Sequence, residues 1–103
     1  MARYRLSRLL RTQSSEVYLI WAGERRLGQV DLHYADAIIH ANMLLEADLN
    51  EDEVMLLCAQ IDEDIATSYL PSFEREEFII TIFRGEEVDS FNYPPSDEEG
   101  DEA

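Results

Sequence analysis

Apolar and polar side chains alternate from Leu27 to Leu45, and the alternation survives a reversal of the chain. With the turn at Asp36-Ala37, paired residue numbers total 73: Tyr34 meets Ile39, Leu32 meets Ala41 and Val30 meets Met43. The other face then pairs His33 with His40, Asp31 with Asn42 and Gln29 with Leu44. One register separates apolar from polar positions, as a half-buried antiparallel pair requires. Residues 37–47 also contain good helix formers that Asp36 would cap, so propensity alone allows a helix. The pairing decides for a strand. Asp-Ala is not a favoured two-residue turn, and a four-residue loop in the same register is equally compatible.

Upstream, Val17–Trp21 is β-branched and aromatic, and Ala22-Gly23-Glu24-Arg25 turns it into Leu27–Tyr34 as a hairpin. Residues 3–11, RYRLSRLLR, put Tyr4, Leu6 and Leu10 on one parity and Arg3, Arg5, Ser7 and Arg11 on the other, a strand with a basic face. Arg8 and Leu9 break the alternation, so a short helix is the rival. Thr12–Ser15 is turn chemistry.

Downstream the period changes. Asn50 is placed as an N-cap, Glu53 completes a capping box and Leu49 can staple onto Val54. Val54, Leu57, Cys58, Ile61 and Ile65 then mark the inward stripe of a helix over 51–69, widened by Met55, Leu56 and Ala59. Residues 72–77 read as a polar connection with one turn that Ser72 can cap. Glu77–Phe83, EFIITIF, is the most apolar strand, and its composition predicts an inner position because such an edge invites pairing. Val88–Tyr93 is expected as a short edge strand before Pro94-Pro95.

The pattern therefore predicts an α+β fold: an antiparallel sheet of about five or six strands with one main helix on one face. Residues 1–93 form the expected single globular domain. Residues 94–103 read as a disordered acidic tail, because SDEEGDEA has no apolar anchor.

Charge adds a second layer. The 103 residues carry a formal charge of −15, unevenly spread. Residues 1–35 hold six arginines against Glu16, Glu24 and Asp31, net +3, whereas residues 36–103 hold twenty acids against Arg75 and Arg84, net −18. Such a body repels phosphates and anionic membranes, so direct nucleic-acid and membrane binding are not expected, and a basic protein partner is. Lysine is absent. A single cysteine, Cys58, excludes an internal disulfide, and neither a signal-like apolar start nor a run of ~20 apolar residues occurs, which together suggest a cytoplasmic protein.

Candidate chemistry centres on the two histidines. Cross-strand neighbours lie about 5 Å apart at Cβ, so His33 and His40, with Asp31 and Asn42 one step along, are a candidate divalent-metal set or a small metal-dependent hydrolytic centre. The set lacks a third strong nitrogen or sulfur ligand, and a solvated sheet face with two ordinary histidines is the simpler expectation. No cofactor is otherwise implied. The acids Glu51, Asp52 and Glu53 suit the positive end of the helix dipole. Asp62, Glu63 and Asp64 have no such role and, with Trp21, are the candidate partner-binding residues. Cys58 falls on the inward stripe and is expected in the core. The leading functional expectation is a non-catalytic binding or regulatory protein. The metal face is the alternative, and mimicry of nucleic acid by the acidic helix is a third.

Overall fold

A computed structural model describes residues 4–66 and 77–95. The strands are β1 (Arg5–Arg11), β2 (Ser15–Ala22), β3 (Arg25–Ala35), β4 (Ile38–Leu45) and β5 (Glu77–Arg84). The helix α1 (Glu51–Ile61) follows β4 and continues as a π-helical turn over Asp62–Ala66. The sheet order is β1-β2-β3-β4-β5, with β1 to β4 antiparallel and β5 parallel to β4. The fold is α+β.

The β3–β4 register is the one the alternation dictates, from Gly28 opposite Leu45 to Ala35 opposite Ile38, with His33 opposite His40. The hairpin closes through the two-residue loop Asp36-Ala37, and Asp36 takes a positive φ of 54°. A short polar side chain tolerates that region better than most, which is how an unfavoured dipeptide makes the turn. In the β2–β3 turn, Gly23 supplies the positive φ, 62°, expected at the first position of a type II′ hairpin.

Asn50 accepts from the Glu53 amide at 2.8 Å, and the Glu53 carboxylate accepts from the Asn50 amide at 2.8 Å, completing the predicted capping box. Leu57, Ile61 and Ile65 are buried against Ile20, Val30, Leu32, Ile39, Ala41 and Met43, while Val54 and Cys58 pack at the margin of this core. Full burial of each large side chain contributes roughly 1.5–3 kcal/mol. Met55, Leu56 and Ala59, expected to widen the inward stripe, are instead exposed. Gln60 takes the buried position, and its side-chain amide pairs with the Tyr4 backbone: Nε2 donates to the carbonyl at 2.6 Å and Oε1 accepts from the amide at 3.0 Å. This satisfies a buried amide and joins the helix to the start of the chain.

Several expectations are corrected. The sheet is mixed, because a long connection through α1 returns the chain parallel to β4 rather than as a hairpin. The strongest apolar strand, β5, is at an edge and not inside. Residues 88–93 form no strand: Val88, Phe91 and Tyr93 are largely exposed, and the segment past Gly85 follows the groove beside Arg26 instead of folding back on β5. The regular α-helix stops at Ile61. Its predicted continuation over 67–69, the 72–76 connection and the 96–103 tail lie outside the described residues.

Residues 5–11 form a strand and not a helix, and Leu9 is skipped between the pairs Arg8–Tyr18 and Leu10–Val17. This bulge explains the broken alternation: it turns Leu10 away from the face of Leu6 and brings Arg11 opposite Glu16. A second bulge skips Leu27 between the pairs Ile20–Gly28 and Trp21–Arg26.

Candidate functional site

The helix covers one face of the sheet and leaves the opposite face uncovered among the described residues. Strand pairing orders this open face into rows. Ser15, His33, His40 and Ile79 make one row. Val17, Asp31, Asn42 and Thr81 make the next, and Leu19, Gln29, Leu44 and Phe83 the third. A polar stripe of Asp31, His33, His40 and Asn42 therefore runs between two apolar margins, one on β2 and one on β4–β5.

Within the stripe the two imidazoles oppose each other as the register requires. His33 Nε2 lies 2.8 Å from Asp31 Oδ2 on the same strand. A neutral His33 protonated at Nε2 donates to that carboxylate, which leaves Nδ1 as an acceptor. His33, His40 and Asn42 are exposed and Asp31 is half-buried, so this contact is worth little in stability. Among the described residues no group of three or more His, Cys, Asp or Glu side chains is arranged to hold a metal ion.

The candidate partner residues are not brought together. Trp21 is on the open face, beside Arg5, whose guanidinium carbon sits 4.9 Å from the ring centroid in a cation–π contact. Asp62, Glu63 and Asp64 lie in the π-helical turn on the covered side of the sheet. A flat partner cannot touch both sets.

The most elaborate polar constellation involves Glu16, which sequence reasoning passed over. Its side chain is 2% exposed. Tyr18 donates to Oε1 at 2.6 Å and Tyr34 donates to Oε2 at 2.6 Å. Arg8 and Arg11 approach Oε1 at 3.5 and 4.0 Å from across the β1 bulge. Both carboxylate oxygens are thereby occupied, as a buried charge demands. The arrangement locks β1, β2 and β3 together at one end. No local signal marks it: Glu16 shares parity with Tyr18 and Ile20, the less apolar of the two sets in β2.

Burial, the hydrogen bond to Glu16 and the charge of Glu16 push the Tyr18 phenol up to about 12, against an opposing effect of Arg8. An unfolded tyrosine ionises near pH 10. Between those values the unfolded state binds fewer protons, so stability is fully present below pH 10 and falls as pH rises toward 12. For a half-exposed group the loss is about 1 kcal/mol after allowing for solvent screening. Denaturation from pH 9 to 12 should show the wild type losing its advantage over Tyr18→Phe; a constant gap would contradict this assignment. Burial also raises the Cys58 thiol, which leaves it a poor nucleophile.

An open groove of about 590 Å³ is lined by Arg25, Arg26, Glu46 and residues 86–90. Arg26 bridges it, 3.2 Å from Glu46 and 3.4 Å from Glu87, and so ties the segment after β5 to the start of β3. Arg84 pairs with Asp48.

Fold and sites together define a small α+β protein with one covered and one open sheet face, and with its buried charge closed off by internal partners. The chain matches no family model, and comparison with curated proteins and with solved structures finds no similar chain. No helix among the described residues is long and apolar enough to cross a membrane.

Proposed function

We propose that this chain is a non-catalytic binding or regulatory protein that engages a basic protein partner through its acidic surface. The supporting observation is where the arginines go. Arg8 and Arg11 face Glu16, Arg26 spans Glu46 and Glu87, Arg84 pairs with Asp48, and Arg5 lies against Trp21. Most described cations are engaged within the chain, whereas Glu51, Asp52, Glu63, Asp64, Glu77, Glu86 and Asp89 are solvent-exposed. An outward field of one sign steers and selects a partner of the other.

The test is a native pull-down with mass spectrometry at physiological salt, where a Debye length of about 8 Å leaves only contact-range electrostatics. Captured chains should be basic and should elute as salt rises. A Glu51→Gln/Asp52→Asn/Glu63→Gln/Asp64→Asn protein should capture less. Capture of nothing basic, or of the same proteins by the neutralised variant at any salt, would remove this function.

A further inference from the structure

The two histidines stand on adjacent inner strands of the sheet. His33 on β3 is directly opposite His40 on β4, and Ser15 on β2 and Ile79 on β5 bound their row. Each of these two strands is paired on both sides, and the hairpin between them closes two residues beyond the pair, at Ala35 and Ile38. The backbone that carries the rings is therefore fixed before anything binds, which lowers the cost of bringing them together. Both histidines are exposed on the open face, so an ion reaches them from solvent.

Spacing and chemistry suit one ion. Directly opposed Cβ atoms lie about 5 Å apart, and two nitrogens on one tetrahedral zinc ion lie about 3.4 Å apart, a span that converging imidazoles reach. Asp31 precedes His33 by two residues on the same face, and its Oδ2 is 2.8 Å from His33 Nε2. With the Nε2 proton donated to that carboxylate, Nδ1 keeps its lone pair. A carboxylate in this position fixes the tautomer and orientation of a ligating ring. Imidazole favours zinc, nickel and copper over magnesium and calcium, which take oxygen ligands. The charge of −15 adds a general attraction for divalent cations. No third His, Cys, Asp or Glu joins such a group among the described residues, so the protein supplies two ligands and water the rest.

We infer that His33 and His40 form a cross-strand chelate for one divalent transition-metal ion, with Asp31 positioning His33. Asn42 takes no part. This goes beyond the basic-partner function and does not rest on it, because the site lies on the open face and away from Asp62, Glu63 and Asp64.

The experiment titrates the full chain, nitrogen-labelled at histidine, with Zn²⁺ at neutral pH, with excess Mg²⁺ occupying the exposed carboxylates. Ring resonances of both histidines should shift along one saturating curve, with one ion per chain and His33 bound through Nδ1. His33→Gln and His40→Gln, checked for native circular dichroism, should each weaken binding at the remaining ring about tenfold or more, because the second contact is no longer intramolecular. Asp31→Asn should keep both rings in the site but weaken binding about tenfold and release His33 to bind through Nε2.

Unshifted imidazoles at millimolar Zn²⁺ overturn the site, and so does uptake of equal affinity by the His33→Gln/His40→Gln protein. Rings that titrate separately, each unaffected by loss of the other, overturn the chelate. One ion per two chains, with a dimer forming, overturns it in favour of an ion shared between copies. An Asp31→Asn protein with unchanged affinity and unchanged ring nitrogen overturns the positioning role of Asp31. Each of these results leaves the pull-down for a basic partner unaffected.

Discussion

Gly28→Ala should be among the most damaging single substitutions in the protein, costing about 3 kcal/mol or more and lowering Tm by about 15 °C. A Cβ built at Gly28 falls on the backbone carbonyl oxygen of Leu44 and comes within 3.1 Å of Leu44 C and Leu45 Cα. These are main-chain atoms in the centre of the sheet, so no side chain can swing aside. The strand pair must separate locally, next to the Leu27 bulge, where Gly28 pairs with Ile20 on one side and Leu45 on the other. Gly23→Ala is the contrasting control: nothing lies within 4 Å of its Cβ, and its cost is only that of the positive φ, about 1 kcal/mol. Equilibrium denaturation of both proteins measures the difference. Equal losses would show that the approach of Leu44 is not what requires glycine at 28.

The second large effect is expected at Glu16. Glu16→Ala strips the acceptor from two tyrosine hydroxyls, the Tyr34 one buried, removes the counter-charge of Arg8 and Arg11, and opens a void. Leaving a buried donor unmet costs about 1–3 kcal/mol, and breaking a buried ion pair from one side about 3–5 kcal/mol. Both arginines are substantially exposed and recover hydration, so the total should be about 3 kcal/mol. Glu16→Gln keeps the shape and can still bond both hydroxyls, and should cost about half as much. Urea denaturation of the pair separates charge from hydrogen bonding. A Glu16→Ala loss under 1 kcal/mol would mean that the network contributes no net stability.

Glu16 also shows where local pattern stops informing. In β2 the set Val17, Leu19 and Trp21 is more apolar than Glu16, Tyr18 and Ile20, and hydropathy alone points the first set inward. The structure does the reverse, with Ile20 and Glu16 buried and Val17, Tyr18, Leu19 and Trp21 half-buried. The face of β2 is decided by its neighbour. Tyr18 pairs with Val30 and Glu16 with Leu32, and those two residues are committed to the helix side by their own pairing with Met43 and Ala41. Trp21 follows onto the open face, which separates it from Asp62, Glu63 and Asp64 on the helix side.

The histidine stripe was legible for the converse reason. Its placement depends on one hairpin with a two-residue loop, and strict alternation admits only one register for such a pair. His33 and His40 therefore had to face each other, with Asp31 and Asn42 beside them. What covers them is not a local property. Likewise, the capping box around Asn50 is completed within four residues, so the helix start was readable, whereas Gln60 could be recognised as an inward residue only by its contact with Tyr4, 56 residues away.

By itself the sequence determined the strands over 15–45, the β3–β4 register, the start and inward stripe of the helix, and the charge imbalance, because each is encoded in alternation, capping or composition over short distances. Only the tertiary structure decided which face of β2 is buried, that Glu16 is enclosed by two tyrosines and two arginines, and that β5 lies parallel to β4 as the last of the described strands. Those outcomes depend on where a long crossover lands and which surface it covers. An apolar strand reads alike whether its second neighbour belongs to its own chain or to another.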